Sequence, residues 1–193
     1  MSLLTASKNV KKEVPAVAPP VLKKSEIPKK VDVPKKPDNG FTAHKKRVLI
    51  VDDHPLFRQG ITQFINREAD LIVCGESEHA DHAMQAIHEL KPDLVTLDIS
   101  LKDSNGIDLI KSIKSQDEEL PVLVLSMHDE TLYAERVLRA GARGYIMKQE
   151  ATKSVMTAIR RVLEGKIYLS EAMSEKMLEK QLNGVPQNTS SVG

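Results

Sequence analysis

Five short stretches of the sequence are apolar almost along their whole length: RVLIV at 47–51, LIVC at 71–74, DLVTLD at 93–98, PVLVLS at 121–126 and GYIM at 144–147. A strand with one wet face alternates apolar and polar residues, so a run apolar on both faces must be covered on both. Between the runs, apolar residues recur at helical spacing. Phe57, Ile61, Phe64 and Ile65 form one set, Ala80, Ala83, Met84, Ile87 and Leu90 another, and Val155, Ile159, Val162 and Leu163 a third. These patterns predict helices over 55–67, 79–90, 106–114, 130–140 and 151–164. Gly141 and Gly165 stand just past two of the ends, where a left-handed residue closes a helix. Strand and helix alternating five times predict a doubly wound α/β domain with a parallel sheet over about residues 46–166.

The flanks have another texture. Residues 1–45 hold ten lysines against four acids, a net of +6, so the remainder of this +1 chain carries −5. Six of the ten prolines also lie there. Proline removes backbone donors and lysines repel one another, so no core is expected, and the segment reads as a disordered extension. With no arginine and one aromatic, Phe41, it has little of a nucleic-acid arm. Residues 171–182 predict one more helix, followed by a polar, linker-like tail. The single cysteine, Cys74, sits in an apolar run and reads as a core thiol. No run approaches the ~18 apolar residues that cross a bilayer. A cytoplasmic protein with no membrane partner is the expectation.

In open α/β sheets the ligand crevice lies beyond the carboxyl ends of the strands. The first strand delivers Asp52 and Asp53 there, the second Gly75 and Glu76, the third Asp98, the fourth Ser126 and the fifth Lys148. Two like charges ~4 Å apart cost on the order of 4 kcal/mol at an effective dielectric near ~20, so three carboxylates call for a cation. Oxygen donors without a histidine–cysteine set fit Mg²⁺, held by one or two carboxylates, a backbone carbonyl and waters. A metal beside a carboxylate, faced by a hydroxyl and an ammonium, is equipment for phosphoryl transfer. Asp98, at the end of the central strand, is the candidate nucleophile. Asp52 and Asp53 are better placed to hold metal. Asp103, Ser104, Asn105, Asp129 and Glu130 read as helix caps and turn residues only.

With these residues in view, the chain resembles a response-regulator receiver domain of two-component signalling, in the NarL/FixJ (LuxR-type) subgroup. The stretches that carry the resemblance are VLIVDDHPLFRQG (48–60), PDLVTLDISLKDSNGIDLI (92–110), VLVLSMHDE (122–130), RAGARGYIMKQEA (139–151) and VLEGKIYLS (162–170). It implies a flavodoxin-like fold, a five-stranded parallel sheet in the order 2-1-3-4-5 with five helices. The chain then divides into an extension (1–45), the receiver (46–168) and a helix with a linker-like tail (169–193). The resemblance makes Asp98 the phosphoacceptor, with Mg²⁺ held by Asp53, by Asp52 through water, by Asp98 and by the carbonyl of Ser100. Lys148 contacts the phosphoryl group, Ser126 is the switch hydroxyl, and Tyr145 is the aromatic that turns inward. Ser100 and His128 tune dephosphorylation.

The partners implied are a sensor histidine kinase, a second copy of the chain, and DNA only through an output domain. After GKIYLS, where this subgroup continues into a helix-turn-helix output domain, residues 171–193 offer one expected helix and a polar tail, so the expectation is a receiver without it, either standing alone or as part of a longer protein. Such a protein is a switch for transcription and not an enzyme beyond its own phosphorylation and dephosphorylation. Two positions depart from the pattern. Lys102 stands where the family often has proline. Gln149 follows Lys148 in place of a cis-proline, and a cis bond there would cost ~3 kcal/mol.

Two other functions compete. A Mg²⁺-dependent phosphohydrolase of the haloacid-dehalogenase type would want an acid at position 100, where serine stands. A phosphorylation-independent docking module would be expected to have lost an acid, the lysine or the switch hydroxyl, and none is lost. Asp52-Asp53-His54 also opens like the D-x-H motif of cobalamin-binding domains, but Phe57 replaces the glycine they need. His79 and His82 have no third ligand nearby and read as a solvated helix face.

Overall fold

A computed structural model of the 193-residue protein describes residues 44–102 and 104–183. The expected disordered extension, up to residue 43, the tail beyond residue 183 and the turn residue Asp103 lie outside the described residues.

The chain folds as β1 (Lys46–Val51), α1 (Pro55–Arg67), β2 (Leu71–Ser77), α2 (Ala80–Leu90), β3 (Leu94–Leu97), β4 (Ser100–Leu101), β5 (Ser104–Asn105), α3 (Gly106–Gln116), β6 (Val122–Ser126), α4 (Glu130–Arg139), β7 (Gly144–Met147), α5 (Ala151–Leu163) and α6 (Glu171–Asn183). The main sheet is parallel throughout, in the order β2-β1-β3-β6-β7. With the two-residue strands β4 and β5 set aside, this is the 2-1-3-4-5 order of the flavodoxin-like fold.

The apolar runs are explained by two cores. Leu49 and Val51 of β1, Val122 and Val124 of β6 and Tyr145 of β7 face a layer built from α2, α3 and α4, through Ala83, Ile110 and Val137 among others. Val48 and Ile50, Leu123 and Leu125, and Ile146 face α1 and α5, through Ile61, Ile65, Val155 and Ile159. Neighbouring residues on one strand thus point into opposite cores, so neither set can be polar.

Four features differ from the sequence reading. The second strand runs on through Gly75 and Glu76 to Ser77, because a bulge between Val48 and Leu49 re-registers it on β1. Its polar end hid that continuation. β4 and β5 form an antiparallel ladder too short and too polar to show a period. His79 lies ahead of α2 as its N-cap and not on the helix face, with its ring edge-on to His82 at 5.4 Å. Glu130 is buried and accepts a hydrogen bond from the Ser170 amide (3.0 Å), which goes beyond the turn role expected of it. Asn105 and Asp129 do cap α3 and α4, accepting from the amides of Ile107 and Thr131. Both expected glycine stops close their helices. The amides of Gly141 and Ala142 bond back to Leu138 and Val137, and Gly141 takes the positive φ of 107° that this motif needs.

The sixth helix docks on the domain. Tyr168 bridges to Gly144 alongside β7, and Met173 and Met177 then join the core that holds α4. Among the described residues no helix is long and apolar enough to cross a membrane.

Candidate functional site

The carboxyl ends of β1, β3 and β7 converge on one group of charges. Ladder-like bonds fix the loops that carry them: the Asp52 amide donates to Ser77 O (2.9 Å), Asp98 to Val51 O (2.9 Å) and Lys148 to Ser126 O (2.8 Å). The Lys148 ammonium lies 2.6 Å from Asp98 Oδ2 and 2.7 Å from Asp52 Oδ2. All three side chains are buried, Asp98 to 1 % exposure. The Lys148 ammonium also sits 4.6 Å from the ring centre of Phe57, whose face favours a cation. Asp98 Oδ1 accepts the Ser100 amide at 3.0 Å.

Asp53 is arranged differently. It is 6 % exposed, and its Oδ1 is buried without a hydrogen-bond partner. Such an atom costs ~1–3 kcal/mol or more for a charged group, unless something else meets it. A buried carboxylate oxygen that makes no hydrogen bond, with the His54 imidazole 2.8 Å away and other carboxylates around it, is the donor a hard cation takes. The residues present therefore fit Mg²⁺.

The sequence reading missed two members of the site. His54 precedes α1 as its N-cap but makes no side-chain cap bond. Its imidazole turns back instead, with Nδ1 2.8 Å from Asp53 Oδ1, outside hydrogen-bond alignment, 3.3 Å from Asp52 Oδ1 and 3.5 Å from Asp98 Oδ2. Arg58 is buried and gathers the outer end of the loop. It donates to the Asp52 carbonyl (2.6 Å), to Glu76 (3.0 Å) and to Glu78 (2.6 Å). An arginine at an apolar helix position next to a doubled acid was the available signal for the second. Nothing in the sequence foretold the direction of the His54 ring.

The remaining expected residues form a second network beside the first. Ser126 is fully buried at the end of β6, and its hydroxyl accepts the His128 amide (3.2 Å). Tyr145 is fully buried too, and its hydroxyl donates to the His128 carbonyl (2.9 Å). The ring expected to turn inward thus already lies inside. Burial pushes the Tyr145 phenol up to about 12, partly offset by the neighbouring Ser126 hydroxyl. Across the mouth of the site, Ser100 Oγ and His128 Nε2 are 2.6 Å apart. Lys102 is exposed, and since no cis peptide occurs among the described residues, Lys148–Gln149 is trans.

The chain and its fold have known counterparts. The family model of the response regulator receiver domain matches residues 48–160. The chain belongs to that family. The chain is 28 % identical over 153 residues to the transcriptional regulatory protein DegU of Brevibacillus brevis, covering 78 % of this chain and 65 % of DegU. It is 33 % identical over 131 residues to the response regulator protein VraR of Staphylococcus aureus, covering 68 % of this chain and 63 % of VraR. The chain therefore spans just under two thirds of the length of these relatives. Among solved structures, a two-component response regulator of the LuxR family from Aurantimonas sp. SI85-9A1 superposes on this chain with a TM-score of 0.67 at 29 % identity, covering 72 % of this chain and 99 % of that one.

Proposed function

We propose that this receiver is a phosphorylation-controlled switch, in which Asp98 takes a phosphoryl group from a sensor histidine kinase. The observation that carries the reading is the Lys148 ammonium 2.6 Å from Asp98 Oδ2, inside a buried group of three acids. In phosphoryl transfer the protein mainly positions groups and neutralises charge. Asp98 offers the nucleophilic carboxylate, fixed by the Ser100 amide and Lys148. Once the acyl phosphate forms, Lys148 and the Ser126 hydroxyl contact its oxygens. Mg²⁺ would be held by Asp53 directly and by Asp52 through water, with Asp98 and the Ser100 carbonyl completing the set. When bound, the metal supplies positive charge for the phosphoryl oxygens.

The output side of the switch rests on His128. Ser126 holds its amide and Tyr145 its carbonyl, so moving the Ser126 hydroxyl toward a phosphorylated Asp98 disturbs the Tyr145 bond as well. That change reaches the surface of residues 130–165 and alters its affinity for a second copy or an output module. Ser100 and His128, bonded across the mouth, set how readily water reaches the acyl phosphate. Control of transcription, in a cytoplasmic protein that catalyses only its own phosphorylation and dephosphorylation, completes the proposal. Intact mass after incubation with acetyl phosphate and Mg²⁺ tests it. Wild type is expected to gain one phosphoryl group and Asp98→Asn none. No gain in folded, Mg²⁺-binding wild type would leave a docking module as the better reading.

A further inference from the structure

The sixth helix lies outside the five strand–helix repeats, yet the segment that leads into it is anchored on the switch. Tyr168 lies along the free edge of β7. Its amide donates to Arg143 O (2.9 Å), and its carbonyl accepts the amide of Tyr145 (3.0 Å). Tyr145 thus holds this segment by its backbone while its hydroxyl holds the carbonyl of His128. Two residues on, the Ser170 amide donates to Glu130 Oε1 (3.0 Å), a carboxylate buried at the head of α4. Past these two anchors the hold on α6 thins out. Met173 is buried and Met177 packs partly on the same core, while Leu178 and Leu182 are exposed. Lys180 reaches Glu135 of α4 (2.6 Å) in an exposed ion pair, of the kind that adds little. An element with so few buried contacts opens locally far more readily than the sheet beside it.

We propose that α6 is a latch on the switch, docked in the unphosphorylated receiver and released when Asp98 is phosphorylated. The inference rests on the proposed function and gives its output a moving part. In the resting arrangement the Ser126 hydroxyl accepts the His128 amide and the Tyr145 hydroxyl donates to the His128 carbonyl, which fixes the loop leading into α4. A Ser126 hydroxyl drawn to the phosphoryl group releases the His128 amide, and the loop carries Glu130 with it. A displacement of about 1 Å is enough to break a hydrogen bond such as that of Glu130 to Ser170. The Tyr145 backbone, at the other anchor, belongs to the same network. Release uncovers Met173 and Met177 together with the α4 surface beneath them. The coupling is reciprocal: if a phosphoryl group on Asp98 disfavours docking, undocking favours that group at Asp98 by the same factor.

Both sides of that linkage can be measured on the full chain, with BeF₃⁻ in Mg²⁺ as a reversible mimic of the phosphoryl group. Hydrogen exchange of wild type is followed with and without BeF₃⁻. The amides of residues 171–177 are expected to exchange about fivefold or more faster with it, and those of β3 no faster. The reverse direction uses variants that undock α6 from its far end, away from the site. Met177→Asp places a charge against the core, and Lys180→Glu turns the pair with Glu135 into a repulsion. In calorimetric titration Met177→Asp is expected to bind BeF₃⁻ about fivefold or more tighter than wild type, and Lys180→Glu to shift the same way by less. Unchanged or slower exchange of α6 in BeF₃⁻-bound wild type overturns the latch while leaving the switch intact. So does unchanged or weaker BeF₃⁻ binding by a Met177→Asp variant whose α6 already exchanges fast. Wild type that takes up neither BeF₃⁻ nor a phosphoryl group from acetyl phosphate overturns the switch itself, and the latch with it.

Discussion

At the scale of single residues, the site depends on close approaches that leave no slack. Gly106 begins α3 directly behind the acceptor loop. A Cβ there would lie 2.5 Å from Ile99 Cα and 2.7 Å from the Asp98 carbonyl oxygen, both backbone atoms that cannot swing aside. Gly106→Ala is therefore expected to cost about 1–3 kcal/mol in chemical denaturation and to slow phosphorylation by displacing Asp98. A variant of wild-type stability would show that the loop gives way freely. Tyr145 makes a prediction about pH. Its phenol ionises at about 12 in the folded protein against an ordinary 10, because burial disfavours the phenolate. The folded state holds that proton more tightly, so the stabilising contribution is complete below pH ~10 and is lost as pH rises through ~12. Denaturant titrations at rising alkaline pH should show this loss in wild type and a shallower one in Tyr145→Phe. Equal slopes would mean that the phenol is not the group responsible. The direction of the His54 ring was illegible in the sequence for a physical reason. Whether a side chain beside two acids caps its helix or turns toward the acids is decided by where Asp98 arrives, and that is a tertiary fact.

At the scale of elements, legibility followed burial. Strands such as Val122–Ser126 declare themselves because two cores demand apolar residues at successive positions. The run-on of β2 through Glu76 and Ser77 does not, since its end pairs with β1 by backbone bonds while its side chains serve Arg58 and the loop before α2. The polar ends of five strands could be listed in advance, and Asp52, Asp53, Asp98 and Lys148 do meet, because a parallel sheet brings all carboxyl ends to one edge. The docking of α6 was not legible. Its start is held by a carboxylate from another helix: Glu130, at the head of α4, accepts the Ser170 amide, while Ser170 Oγ accepts the amide of Met173. Glu130 is two residues from His128, whose amide and carbonyl are held by Ser126 and Tyr145, so α6 is anchored next to the switch network. Glu130→Ala should release the first turns of α6, removing a charged hydrogen bond worth about 1.5–3 kcal/mol. Hydrogen exchange is expected to speed up over residues 171–177 and to stay unchanged in β1 and β3. Faster exchange throughout the sheet would instead mark Glu130 as a support of the core.

At the scale of the whole molecule, the fold concentrates its least favourable charges where it binds. Asp52, Asp53 and Asp98 are all nearly excluded from water, and Lys148 is the buried ammonium among them. Carboxylates a few ångströms apart repel by several kcal/mol at an effective dielectric near ~20, and Lys148 offsets only part of this. Sites poised for function commonly hold such strain, sustained by stability elsewhere. The consequence is a crossing pair of responses. Without divalent cation, Asp53→Asn should unfold at a higher temperature than wild type, since one repelling charge is gone, by on the order of 1–2 kcal/mol. On addition of Mg²⁺ the order should close or reverse. A cation at ten times its dissociation constant stabilises the native state by about 1.4 kcal/mol. Asp53→Asn, having lost the carboxylate of the cluster whose buried Oδ1 makes no hydrogen bond, should scarcely respond. Scanning calorimetry of both proteins with chelator and with Mg²⁺ makes the comparison. Curves that shift in parallel would place the cation elsewhere, and a less stable Asp53→Asn in chelator would show that the three acids are already neutralised by His54 and Lys148.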